Sequence, residues 1–241
     1  MAKNIQILDK TYSIDKDIDN LLEALIYIKE HKENSLGFKY SCKSGVCGSC
    51  AVVVNGKERL SCTTKVENDD TIEPLRNLPI IKDLIVDNDN IEQKLKQAKA
   101  FIQESSDTNK ISQVDVDKID IESNCILCNS CYSACPIYEV NSDFIGPFAL
   151  TRAYRYIEDK KETNTKTKLN NIQISGVWDC TLCGACDLVC PQNIPIKNNI
   201  MKLQNISVQK GYENPAFSSN TGFDSFNNDD FSSFGFNPNG F

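Results

Sequence analysis

The chain has 241 residues and a formal net charge of -7, from 26 lysines and arginines against 33 aspartates and glutamates; that length accommodates two domains, each with its own core. The basic residues are dispersed, which excludes a nucleic-acid-binding stripe and leaves no patch for anionic lipid. Twelve cysteines, no apolar segment of membrane-spanning length and no apolar leader in Met1 to Leu8 predict a reducing compartment, where thiols serve metals or catalysis rather than disulfides.

Asn4 to Leu8 and Tyr12 to Ile14 alternate as two short strands joined at Asp9-Lys10. Asp19 or Asn20 then caps an apolar-periodic segment (Leu21, Leu22, Leu25, Ile26, Ile28) that predicts a helix to about Lys32. His31, the single histidine, lies on the polar face of that helix and reads as a solvated surface residue. Its isolation argues against a mixed Cys/His zinc site and against histidine acid–base catalysis.

Cys42, Cys47 and Cys50, with Cys62 further on, follow the C-x4-C-x2-C…C spacing of plant-type [2Fe-2S] sites. Gly45, Gly48, Ser44 and Ser49 are the small residues such a loop needs if backbone N–H groups are to approach the sulfurs. Ala51 to Val54 predicts a strand, Asn55-Gly56 a hairpin turn, and Glu58 to Ser61 the returning strand that delivers Cys62 beside the loop. This order of elements predicts a β-grasp ferredoxin domain.

Thr71 to Asp87 reads as a final strand, a proline-punctuated turn and an apolar docking segment, and Ile91 to Glu104 as a helix with Leu95, Ala98 and Ile102 on one face. Residues 105–118 are polar and weakly patterned, as in an interdomain linker. Beyond them lie two C-x2-C-x2-C-x3-C-P runs: Cys125, Cys128, Cys131, Cys135 before Pro136, and Cys180, Cys183, Cys186, Cys190 before Pro191. In bacterial two-cluster ferredoxins with this spacing, the fourth cysteine of each run serves the other run's cluster. Cys125, Cys128, Cys131 and Cys190 are then expected to hold one [4Fe-4S] cubane, and Cys135, Cys180, Cys183 and Cys186 the other. Zinc ribbons instead pair two C-x2-C knuckles.

Between the runs, Pro147 to Glu158 predicts an amphipathic helix, and Asp159 to Asn171 a solvated, lysine-rich loop without function. Trp178, just before Cys180, reads as a core aromatic shielding a cluster from water. Ile194 to Ile206, opening with Pro195, predicts a closing helix. The tail from Ala216 to Phe241 holds seven of the eleven phenylalanines among Ser, Asn, Gly and Asp without period, a composition expected to be disordered alone. Its aromatics are candidates for docking on a partner subunit. The predicted fold class is α+β: an N-terminal β-grasp [2Fe-2S] domain with its trailing helix (1–104), a linker (105–118), an all-α domain with two [4Fe-4S] clusters (119–215), and the Phe-rich tail (216–241).

A plant-type motif followed by two bacterial-type motifs resembles the iron–sulfur subunit of the succinate dehydrogenase/fumarate reductase family. Pro79 to Asp87 is similar to that family's link after the [2Fe-2S] domain, and Phe144-Ile145-Gly146-Pro147 leading into Ala153-Tyr154-Arg155-Tyr156 to its helix between the runs. The resemblance covers roughly Asn4 to Met201. It implies a subunit without a catalytic dicarboxylate residue of its own. Its partners would be an FAD-containing flavoprotein, where succinate and fumarate interconvert, and a cysteine-rich or hydrophobic membrane anchor serving the quinone pool. By the same resemblance the [2Fe-2S] cluster would face the flavoprotein, the Cys125 set would sit in the middle, and the Cys135 set would be the exit.

Two departures from the usual pattern matter. Most members lack a cysteine at the position of Cys183 and carry a [3Fe-4S] cluster there; here a second [4Fe-4S] cluster is expected, and [3Fe-4S] if Cys183 is not a ligand. Thr181 stands where quinone-reactive members place histidine, and Val140 where they place tryptophan. Both departures resemble the unconventional, methylmenaquinol:fumarate reductase branch. The implied location is the bacterial inner membrane, peripheral through partners. The cytoplasmic face is the default, and the periplasmic face follows if a twin-arginine flavoprotein co-exports the subunit. The alternatives are the iron–sulfur subunit of another flavin- or heterodisulfide-linked oxidoreductase, and a free multi-cluster ferredoxin.

Overall fold

Strand β3 (Ala51–Val54) is buried at all four positions, and the period of two explains why. Val52 and Val54 point into one core, while Ala51 and Val53 point into another. In this computed structural model, which describes residues 3–15, 17–106 and 110–218, β3 belongs to a mixed five-stranded sheet of order β2-β1-β5-β3-β4. Its other members are β1 (Lys3–Ile7), β2 (Lys10–Ile14), β4 (Lys57–Leu60) and β5 (Asp70–Glu73). Only β1 and β5 run parallel; the β1–β2, β3–β4 and β3–β5 pairs are antiparallel.

One sheet face is covered by α1 (Leu21–His31), whose Leu21, Ala24, Leu25 and Ile28 pack on Ile5, Ile7 and Ile72. Asn20 caps the helix by accepting from the Leu22 and Glu23 N–H groups, and its amide donates to Cys62 O at 2.8 Å. The capping residue therefore also fixes the turn that carries a candidate ligand. The other face joins a core continuous with the helical domain, where Cys50, Val53 and Leu60 meet Tyr132, Phe148 and Leu150.

The helical half comprises α2 (Asn90–Gln97), α3 (Gln113–Asp117), α4 (Asp120–Ser123), α5 (Ser130–Ser133), α6 (Pro147–Ile157), α7 (Thr165–Asn171), α8 (Ala185–Val189), α9 (Ile196–Gln209) and α10 (Pro215–Ser218). Helices α6 and α9 pack side by side at its centre. The sequence places α6 and α9 correctly, with α9 beginning two residues later and ending three residues later than expected.

Three expectations need correction. Residues 79–87 are more than a docking segment: β6 (Ile80–Lys82) and β7 (Ile85–Val86) form a hairpin, which buries Leu84 and Val86 and leaves Ile80 and Ile81 at 61% and 65% exposure. Asp83 turns it in the left-handed region (φ 49°). The helix read from Ile91 to Glu104 stops at Gln97, because Lys99 adopts φ 49° and Ala100 N–H returns to Leu95 O. The stretch 159–171 is no solvated loop. It contains α7, and Lys168 and Glu162 form an ion pair of 2.7 Å with both side chains at 0% exposure. Lys168 also donates to Phe101 O, and Glu162 accepts from Gln103 N–H, so this pair clamps the segment after α2 onto the helical domain. The tail beyond Ser218 lies outside the described residues.

Candidate iron–sulfur sites

The loop between α1 and β3 brings Cys42, Cys47, Cys50 and Cys62 together, with Cys42 beside Cys47 and Cys62 beside Cys50. Left-handed backbone at Lys43, Gly45 and Gly48 (φ 57°, 77° and 74°) curls the loop so that amides point inward. Ser44 N–H donates to Cys42 Sγ at 3.4 Å, and Ser49 Oγ lies 3.1 Å from Cys47 Sγ. The Ser44 amide, then the Cys47 thiol and the Val46 amide, hold the Cys42 thiol down at about 6. Burial, reinforced by Cys50, pushes Cys62 up to about 11. A loop with inward amides over such thiols suits a sulfur-bridged cluster.

Two further cavities lie within the helical domain. The first is lined by Cys125, Cys128, Cys131 and Cys190, the second by Cys135, Cys180, Cys183 and Cys186. Each thus collects three thiols from one run and the fourth from the other. The backbone repeats as well. Leu127 and Asn129 flank Cys128 at φ 54° and 63°, and Leu182 and Gly184 flank Cys183 at φ 55° and 81°. A leucine at positive φ is a strained position. Its recurrence at the same step of both runs marks a loop shaped to curl its amides around something. Leu182 N–H donates to Cys180 Sγ, and Ile194 N–H to Cys190 Sγ, each at 3.4 Å.

The surroundings also suit a cluster. Burial pushes the thiols of Cys125, Cys128 and Cys180 up, raises Cys131 and Cys186 strongly, and takes Cys135 to about 11. Thiols in such apolar walls remain protonated unless a metal replaces the proton. Arg152 adds a positive charge acting on Cys125, opposing its burial. Among the described residues no three His, Cys, Asp or Glu side chains converge on a single metal ion. Cluster thiolates, by contrast, bind separate irons.

The three sites adjoin one another. Gly48 of the first loop lies against Cys128: a Cβ added there would meet Cys128 Cβ at 2.7 Å and Cα at 2.9 Å. Gln192, two residues after Cys190, donates to Gly45 O at 3.2 Å. Across the domain boundary Ser133 donates to the buried Glu58 at 2.7 Å and accepts from Arg76 N–H, while Asn77 donates to the carbonyls of Ser133 and Cys135. These polar pins were not legible from the cysteine spacing, because each joins residues far apart in sequence.

His31 is exposed, stacked on Tyr27 and remote from the cysteines in sequence. Trp178 packs half-buried against the core with its indole N–H on Gln173 at 2.8 Å, and it is not among the residues lining the second cavity. Thr181 does line that cavity, Cys183 is exposed, and Val140 is 84% exposed.

Comparison with known proteins agrees with this organisation. Residues 2–93 match the model of a 2Fe-2S iron-sulfur cluster binding domain, and residues 122–194 that of a 4Fe-4S dicluster domain. The chain is 36% identical over 184 residues to the fumarate reductase iron-sulfur subunit of Escherichia coli O6:H1, a match covering 73% of this chain and 75% of that one. It is 31% identical over 224 residues to the 8-methylmenaquinol:fumarate reductase iron-sulfur subunit of Wolinella succinogenes, covering 87% of this chain and 70% of that one. A chain of the Mycobacterium smegmatis Sdh1 complex in the apo form has the same fold, with a TM-score of 0.79 at 22% identity over 88% of this chain and 98% of that one. The chain therefore belongs to the fumarate reductase/succinate dehydrogenase iron–sulfur subunit family, the electron-transfer subunits of oxidoreductase complexes, with [2Fe-2S] and [4Fe-4S] clusters as its cofactors.

Proposed function

We propose that this subunit relays electrons between an FAD flavoprotein interconverting succinate and fumarate and a membrane-associated partner that reacts with quinol, of the methylmenaquinol:fumarate reductase type. Bound clusters supply one-electron chemistry. The chain's residues hold them, exclude water and keep them close together. The ligands are Cys42, Cys47, Cys50 and Cys62 for the [2Fe-2S] cluster, Cys125, Cys128, Cys131 and Cys190 for the first cubane, and Cys135, Cys180, Cys183 and Cys186 for the second. The observation that carries the relay is the contact of Gly48 with Cys128, which leaves no room for a side chain between the [2Fe-2S] loop and the first cubane's loop.

The quinol branch is supported by what surrounds the second cavity. Its lining holds Thr181 and Lys197, while the chain's one histidine sits on α1. Proton chemistry on a quinone would then fall to the partner. The Wolinella succinogenes relative, named for its methylmenaquinol activity, supports the same branch. No helix among the described residues is long and apolar enough to cross a membrane, so attachment at the inner membrane would be peripheral, through that partner. The exposed Val140 and Cys183 suit the second cavity as the side meeting it.

The test is anaerobic purification of the subunit with its partners, followed by succinate and fumarate assays with menaquinol analogues. Fumarate reduction by a low-potential menaquinol, with intact clusters, is expected. A complex with intact clusters that turns over neither dicarboxylate would sink this reading.

A further inference from the structure

The cavity of the Cys125 set is walled by Ile126, Leu127, Phe148, Ile194 and Ile196. Three polar side chains other than cysteine also line it: Asn129, Gln192 and Thr151. Two of them are engaged elsewhere. The Asn129 amide donates to Asn88 and Asn90, each at 3.1 Å, and its oxygen accepts from Asn90. Gln192 donates to Gly45 O. Thr151 is 1% exposed, and its Oγ1 has no hydrogen-bond partner.

That vacancy is unusual for a helical threonine, whose hydroxyl normally returns to the carbonyl one turn back. In α6 that carbonyl belongs to Pro147, and no such bond forms. A buried hydroxyl left unpaired loses its hydration without recompense. The cost disappears if the cavity's occupant accepts a hydrogen bond from the hydroxyl.

We propose that the Thr151 hydroxyl donates a hydrogen bond to a sulfur of the cluster held by Cys125, Cys128, Cys131 and Cys190, and so raises that cluster's potential relative to an apolar wall. This rests on the ligand assignment above. Reduction adds negative charge to the cluster, and a donor aimed at its sulfurs stabilises the reduced form more than the oxidised one. The second cavity has no buried, unpartnered hydroxyl: the donors in its lining are the exposed Thr181 and the long side chain of Lys197. The two cubanes, alike in ligands and loop backbone, are therefore tuned differently by α6, which presents Phe148 and Thr151 to the first cavity and Pro147 to the second.

The test is an EPR-monitored redox titration of the anaerobically purified complex carrying T151V, T151S or T151A, with iron and sulfide analysis of each. T151V keeps the shape and removes the donor; T151S keeps the donor. Expected are a lower midpoint potential of the first cubane in T151V, an unchanged one in T151S, and unchanged potentials of the other two centres. T151A supplies the donor-free measurement if T151V does not assemble. A first-cubane potential equal to wild type in the donor-free variant, at full iron content, overturns the proposal. So does T151S shifting as far as T151V, which would assign the effect to packing. Wild-type protein with no [4Fe-4S] centre at all by iron content and EPR would refute the assignment of the Cys125 set instead, and with it the proposal; that result is read before any variant is made.

Discussion

On the ligand assignment proposed above, Cys183 would decide the composition of the second cluster. Its loop reproduces the left-handed steps around Cys128, with Leu182 and Gly184 in the places of Leu127 and Asn129. A loop that only tolerated a cysteine there would have no reason to repeat a strained leucine. C183A is therefore expected to give one iron fewer per chain and a [3Fe-4S] EPR signal in strictly anaerobic preparations. The other two centres should keep their potentials. Wild-type iron content in that variant would make Cys183 a bystander. Arg152 offers a second test at this scale, since its charge acts on Cys125 from α6. R152Q should lower the first cubane's midpoint potential in the same titration, because a cation beside the site favours the reduced form. The spacing of the cysteines was fully legible in the sequence, because three thiols on one turn is local geometry. The leucines at positive φ were not, since leucine carries no signal for that region, whereas Gly184 does.

At the scale of elements, the buried pair of Lys168 and Glu162 holds α7 against the strap that follows α2. Composition hides such a pair: a lysine-rich stretch reads as solvated until folding supplies a carboxylate. The over-long helix at 91–104 has a related cause. Its apolar period continues past the stop that Lys99 imposes, and a lysine is no more a stop signal than a leucine. Burial works to raise the Glu162 carboxyl, but the Lys168 bond and the Gln103, Asn164 and Glu104 amides outweigh it, leaving it below the usual range. A depressed folded value means the stabilisation is complete above the unfolded carboxylate range, and is lost as pH falls through the folded value. K168M should destabilise the domain by roughly 3–5 kcal/mol at neutral pH, since it strands a buried charge. That deficit, read by denaturant melts of holoprotein, should shrink as pH falls, because Glu162 without Lys168 takes up a proton at a higher pH than in wild type. A deficit that stays constant with pH would assign the loss to packing.

For the molecule as a whole, the shared core between sheet and helices does more than stabilise. It sets the distance between the first loop and the first cubane's loop. Alternation along β3 sends Ala51 and Val53 into that core, so a strand readable as such from sequence also docks the two domains. The pairs that pin the boundary (Glu58 with Ser133, Asn77 with Ser133 and Cys135) could not be read, because nothing local in them announces a contact. Gly48 sits at the closest approach, at φ 74° and with Cys128 where its Cβ would be. G48A carries a penalty of about 1–2 kcal/mol for left-handed backbone alone, and the clash adds to it by pressing the loops apart. The [2Fe-2S] centre should still assemble, since Cys42, Cys47, Cys50 and Cys62 are untouched. Electron transfer from the flavoprotein side to the first cubane should slow, while equilibrium potentials stay near wild type. Rapid-freeze EPR after mixing the complex with succinate separates the two quantities. An unchanged rate would mean that the approach of these loops does not limit transfer, and that the tight packing at Gly48 serves stability alone.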